Sequence, residues 1–127
     1  MTVAEFRRIA LGMDGAVEAS HMNHPDFRVN GKIFATIHED HVHGMVKLTP
    51  EQQERFIREH PAMFHPAAGA WGRQGSTMVK FAGANAEVLG EAMTLAWQNL
   101  ARAAKNESGI RRAKASRIGL LGKRPRK

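Results

Sequence analysis

Three histidines fall within six residues, at positions 38, 41 and 43 of the run HEDHVH, and imidazole is a ligand that suits zinc and nickel alike. A two-residue loop of Glu39 and Asp40 would set His38 across from His41 and put His41 and His43 on one face, gathering three rings on one side of a hairpin. Loop chemistry opposes that geometry. A type I′ turn needs positive φ at both central residues, which Asn and Gly accept and Glu and Asp accept poorly. A longer loop scatters the rings, so the expectation is solvated turn histidines, no bound metal and no cofactor.

Other catalytic arrangements are sparse. The chain has no cysteine, which excludes disulfides, thiolate metal sites and thiol nucleophiles. Its serines are Ser20, Ser76, Ser108 and Ser116; none lies in a G-x-S-x-G elbow, and Ser20 beside His21 is adjacency in sequence only. The spacing Gly69-x-x-Gly72-x-x-Gly75 has the look of a phosphate loop, but such loops lead into a helix, whereas this one leads into a predicted strand. It reads as hairpin punctuation. An enzyme is therefore not expected; a metal-dependent one built on the histidine hairpin is the third reading of the chain.

Basic residues carry a stronger signal. From Arg102 to Lys127 there are ten Lys or Arg against one acid, Glu107, for a net charge of +9. The preceding 101 residues hold nine bases against eleven acids and sum to −2. A charge block at a terminus marks an arm for a polyanion, nucleic acid first among them, or else a solubilising end. Arg111, Arg112, Lys114, Arg117, Lys123, Arg124, Arg126 and Lys127 are the expected phosphate contacts of that arm. Arg28, Lys32, Lys47, Arg73 and Lys80 fall on or beside predicted strands, with Phe34 and Trp71 among them. They are candidate phosphate contacts too, although a solvated outer sheet face would look the same. The aromatics Phe27, Phe34 and Trp71 are expected in the core.

These residues need elements to hold them. Thr2 and Glu5 make a capping box for a first helix reaching about Gly12. Residues 16–48 change to short β-type runs, with 26–29 and 32–37 flanking Asn30-Gly31, a strong hairpin signal. In the second run Phe34 and Thr36 should face one way and Ile33, Ala35 and Ile37 the other. The chain turns near Glu39 and Asp40 and returns over 43–48. Thr49-Pro50-Glu51-Gln52 starts a second helix, which His60-Pro61 stops. After a Pro- and Gly-bearing loop, 71–74 and 77–81 read as a hairpin around Gly75-Ser76. A third, longest helix follows Asn85 with an apolar stripe of Val88, Leu89, Ala92, Leu95, Ala96, Leu100 and Ala103, ending near Lys105. Asn106-Glu107-Ser108-Gly109 marks the domain edge.

Laid out this way, the body resembles the MmcQ/YjbR family of small bacterial proteins. The resemblance rests on HPDFRVNGKIFATI at 24–37, MVKLTPEQQERF at 45–56, GAWGR at 69–73 and EAMTLAWQNL at 91–100, and it covers about residues 2–104. It implies an α+β fold related to the frataxin-like arrangement, an antiparallel sheet with helices packed on one face, and a DNA-binding role. Iron binding of the frataxin kind is not expected, since that uses a densely acidic helix and the first helix here sets Glu5 against Arg7 and Arg8. The histidine-rich turn and the basic tail lie outside the family's pattern.

The expectation is thus a two-layer α+β domain over 1–105 and a basic, flexible tail over 106–127. Its expected function is non-enzymatic DNA binding, with the tail contacting backbone phosphates and duplex DNA as the partner. The alternative is a small-ligand or protein-interaction domain with a solubilising tail. The N-terminal run lacks the apolar stretch of a signal peptide, and no apolar run approaches the ~20 residues of a membrane span, so a cytoplasmic protein with no membrane partner is expected.

Overall fold

The structure, a computed structural model, describes residues 1–101. The basic tail, with its eight predicted phosphate contacts and the end of the last helix, lies outside the described residues. Helix α1, Val3–Leu11, begins at the capping box: Thr2 Oγ1 accepts from the Glu5 amide at 3.1 Å, and Glu5 Oε1 accepts from the Thr2 amide at 2.9 Å. Four strands follow, β1 (Val17–His21), β2 (His24–Val29), β3 (Lys32–Ile37) and β4 (His43–Lys47). Then come α2 (Pro50–Glu59), β5 (Phe64–Pro66), α3 (Gly69–Arg73), β6 (Ser76–Lys80), a 3-10 turn at Phe81–Gly83, and helix α4 over residues 86–101.

The six strands form one antiparallel sheet in the order β1-β2-β3-β4-β6-β5. Two tight turns set the first registers. Asn30 and Gly31 have φ of 55° and 78°, and Met22 and Asn23 have φ of 49° and 66°, the positive pair that a two-residue hairpin loop needs. One face of the sheet carries Phe27, Ala35, Ile37, Val46, Val79 and Phe64, all fully or nearly fully buried. Onto it pack Phe6 of α1, Phe56 of α2 and the Leu89, Ala92, Met93 and Ala96 stripe of α4. Phe6 meets Phe81 at 5.3 Å between ring centroids, and Phe56 meets Phe64 edge-on at 5.4 Å. The fold is α+β, with the sheet as one layer and α1, α2 and α4 as the other.

Three local expectations are corrected. Strict alternation along β3 fails because the register shifts between Phe27 and Arg28: Phe27 pairs with Ala35 while Arg28 pairs with Ile33. Phe34 is the extra residue of a β-bulge, so Phe34, Ala35 and Ile37 all point inward and Ile33 and Thr36 outward. Residues 71–74 are not a strand; Gly69–Arg73 is a short helix, and β6 pairs instead with β4 and with β5, a strand inside the loop ahead of it. Trp71, expected in the core, is 62% exposed on α3, whereas Phe27 and Phe34 are buried as expected.

Candidate binding face and its histidine row

Side chains that alternate with the core residues form the other face of the sheet. Asp26, Thr36, Met45, Met78 and His65 occupy one register row of it, because Asp26 pairs with Thr36, Thr36 with Met45, Met45 with Met78 and Met78 with His65. The neighbouring row is histidine. His21 pairs with His24 across the first turn, His38 donates its amide to the His43 carbonyl at 2.9 Å, and His43 pairs with Lys80. Ring centroids step along at 5.8 Å from His21 to His24, 6.1 Å to His38, 6.3 Å to His43 and 5.8 Å to His65. Five of the seven imidazoles of the chain thus make a continuous line across the outer face.

The turn at 38–43 is the longer loop, not the two-residue one. His38 faces His43 rather than His41, with four residues between them. His41 sits in the turn with φ of 61° and donates its amide to the His38 carbonyl at 3.0 Å. Asp40 organises the turn: Oδ1 accepts from the Val42 amide at 2.9 Å and the His43 amide at 3.1 Å, and Oδ2 lies 2.8 Å from His43 Nδ1. These bonds, the Val42 amide first, hold the Asp40 carboxyl down at about 2. At the other end of the row Asp26 is fully buried beneath His21 and Arg28, with Oδ1 2.7 Å from Arg28 Nε and Oδ2 2.7 Å from His21 Nδ1. Its carboxyl is lowered chiefly by the Arg28 hydrogen bond, against the opposing effect of burial. His65 is lowered by desolvation first, then by the positive charges of His43 and Lys80. Among the described residues no three His, Asp or Glu side chains converge as a metal cage.

Beside the row lies an open cleft of about 420 Å³. Ile33, Met45 and Met78 provide its apolar side chains, Thr36 and Ser76 its hydroxyls, His21, His24 and His38 one edge, and Ala67, Ala68 and Trp71 the other. Lys47 Nζ stands 5.3 Å from the centroid of the Trp71 ring. The three glycines read as hairpin punctuation turn out to seat this edge. Gly69 has φ of 67° and opens α3, while Gly72 lies so close to the Ala67 carbonyl, and Gly75 to the Leu48 carbonyl, that a side chain at either would collide with backbone. Gln53 of α2 locks the segment by donating to the carbonyls of Gly72 and Ser76, both at 3.0 Å.

Of the five predicted strand bases, Arg28, Lys47 and Lys80 share the outer face. Lys32 is exposed opposite Val29 at the hairpin tip, and Arg73 is exposed at the end of α3. Sequence reasoning missed the contributions of His21, His24 and His65, the methionine floor and the exposed indole. The Met22-Asn23 turn was the available signal, since a two-residue loop there pairs His21 with His24.

With this geometry in view, the match to known sequences decides the family: residues 11–99 fit the sequence profile of YjbR. The chain belongs to the YjbR family. Its YjbR fold is also that of the crystal structure of Deinococcus radiodurans protein DR2400, described there as a DUF419 domain. That protein is 21% identical, with a TM-score of 0.65 over 78% of each chain. No functionally curated protein matches this YjbR chain. Among its described residues no helix is long and apolar enough to cross a membrane.

Proposed function

We propose that this YjbR protein is a non-enzymatic nucleic-acid-binding module, in which the outer sheet face receives the polymer and the C-terminal arm adds sequence-independent affinity for its phosphates. The observation that carries the reading is the exposed Trp71 beside Lys47 on a sheet face that also bears Arg28 and Lys80, since an accessible aromatic among cations is the usual equipment for holding a nucleic acid. The +9 charge of residues 102–127 supports it, because the body at −2 has no net attraction for a polyanion.

Five to seven phosphates neutralised by the arm give a log-log salt slope of roughly −5 to −6 on duplex DNA. Titrating labelled DNA at several salt concentrations measures that slope. Replacing Arg111, Arg112, Lys114, Arg117, Lys123, Arg124, Arg126 and Lys127 with Gln in the full chain should remove most of it, equally for unrelated sequences, because phosphate contacts carry no base information. No binding by the wild-type chain at low salt would reject the reading. The cleft would then belong to a small ligand, whose size class of ~300–1,000 Å³ it fits.

A further inference from the structure

Resting on the nucleic-acid reading, we infer that the cleft between Trp71 and the histidine row is a seat for one unpaired base, so that the outer face prefers single-stranded nucleic acid to duplex. A duplex offers a protein its phosphates and the edges of its bases, while the faces of the rings stay stacked inside. An indole that is 62% exposed, at the edge of a recess of about 420 Å³, has use for a ring face rather than a ring edge. The recess supplies what a base needs. Met45 and Met78 are polarizable side chains that pack against aromatic surfaces. Thr36, Ser76 and the imidazoles of His24 and His38 are hydrogen-bonding groups along its border, each able to meet the polar edge of a heterocycle.

Charge complementarity fixes the occupant as a nucleotide rather than an uncharged aromatic compound. Lys47 stands 5.3 Å from the indole centroid, so a base on Trp71 brings its own phosphate within reach of that ammonium. Lys80, paired with His43 in the next row, continues the positive lining beyond one nucleotide. Of the carboxylates beside this face, Asp26 is engaged by Arg28 and His21 and buried under them, Asp40 is held by His43 and the turn amides, and Glu39 Oε1 lies 3.9 Å from His24 Nε2. The glycine-seated, Gln53-locked α3 holds the indole in place before any ligand arrives.

The test compares a 12-nucleotide mixed-sequence single strand with its blunt duplex against the full chain at one salt concentration, reading anisotropy of labelled nucleic acid and the intrinsic fluorescence of the protein. We expect tighter binding of the single strand and quenching of indole emission on binding. Trp71→Ala should weaken the single strand by roughly 5- to 100-fold, abolish the quenching and weaken the duplex far less, and Trp71→Phe should restore most of the affinity. The indole is exposed, so neither change touches the core. Equal affinities for both forms, unaltered by Trp71→Ala and without quenching, would overturn the base seat while leaving nucleic-acid binding intact. Binding of neither form would reject both. Quenching by a free 5′-mononucleotide in a chain that binds no oligonucleotide would overturn the polymer and assign the cleft to a free nucleotide.

Discussion

Gly72 shapes the cleft by lacking a side chain. A Cβ built there would lie 1.9 Å from the Ala67 carbonyl oxygen, a backbone atom that cannot swing aside. Gly72→Ala should therefore cost about 1–3 kcal/mol or more in urea denaturation and shift the emission of Trp71 as α3 lifts. His41 makes the opposite case. Its φ of 61° is strained for a side chain with a Cβ, so His41→Gly should be neutral or stabilise by up to about 1 kcal/mol, the relief being partly offset by the entropy of glycine. A loss of stability there would show that His41 has a partner. The titrating groups of the row give a pH signature. Asp40 is lowered to about 2 from an ordinary carboxylate value near 4, so its contribution is complete above about 4 and is lost as pH falls toward 2. His65 is a lowered base. Below about 6.5 the unfolded chain takes up its proton more readily than the folded one, so stability declines as pH falls through that region. Denaturation curves between pH 7.5 and 5 should flatten in His65→Gln, and the loss below pH 4 should shrink in Asp40→Asn.

Most elements were legible because their signals are local. Capping boxes at Thr2 and Thr49 formed as their spacing requires, and the Asn30-Gly31 turn set its hairpin. What escaped depends on partners far away in sequence. The bulge at Phe34 exists because three side chains of β3 are wanted by one core, which overrides strict alternation. Strand β5, only three residues long and containing Pro66, is an edge strand that β6 recruits, and no pattern in a Pro- and Gly-bearing loop announces it. The GAWGR segment is seated as a helix by the close approach of Gly72 to Ala67 and, just beyond it, of Gly75 to Leu48, contacts invisible in the run itself. The histidine row is the same lesson on a larger scale: His38, His41 and His43 were visible as a cluster, but only His38 and His43 belong to the row, which His21, His24 and His65 complete through strand register. Asp26 anchors one end of that row. Asp26→Ala removes the buried acceptor shared by Arg28 and His21 and should cost about 1–3 kcal/mol. Because those partners lie on β1 and β2, amide exchange should accelerate first over 17–21, at the edge of the sheet.

At the scale of the whole molecule, the proposed function has the body and the arm divide the work of binding between unlike forces. The arm holds all of the excess positive charge, while the outer face holds a ring, a recess and a few cations. An arm of this kind adds affinity that falls steeply with salt, more steeply on the denser phosphates of a duplex than on a single strand; stacking in the recess adds affinity that salt scarcely affects and that only an unpaired base can collect. The two contributions are therefore separable by measurement. Arm neutralisation to Gln should reduce the salt slope for single strand and duplex alike while preserving the preference for single strand. Trp71→Ala should erase the preference and leave the slope unchanged. If the two surfaces act on different parts of one strand, the combined variant should lose affinity by the sum of the two free energies within about 0.5 kcal/mol, as independent sites do. A coupling well above that value would place the arm at the cleft itself, where its positive charges would be reading the same nucleotide as Trp71 and Lys47.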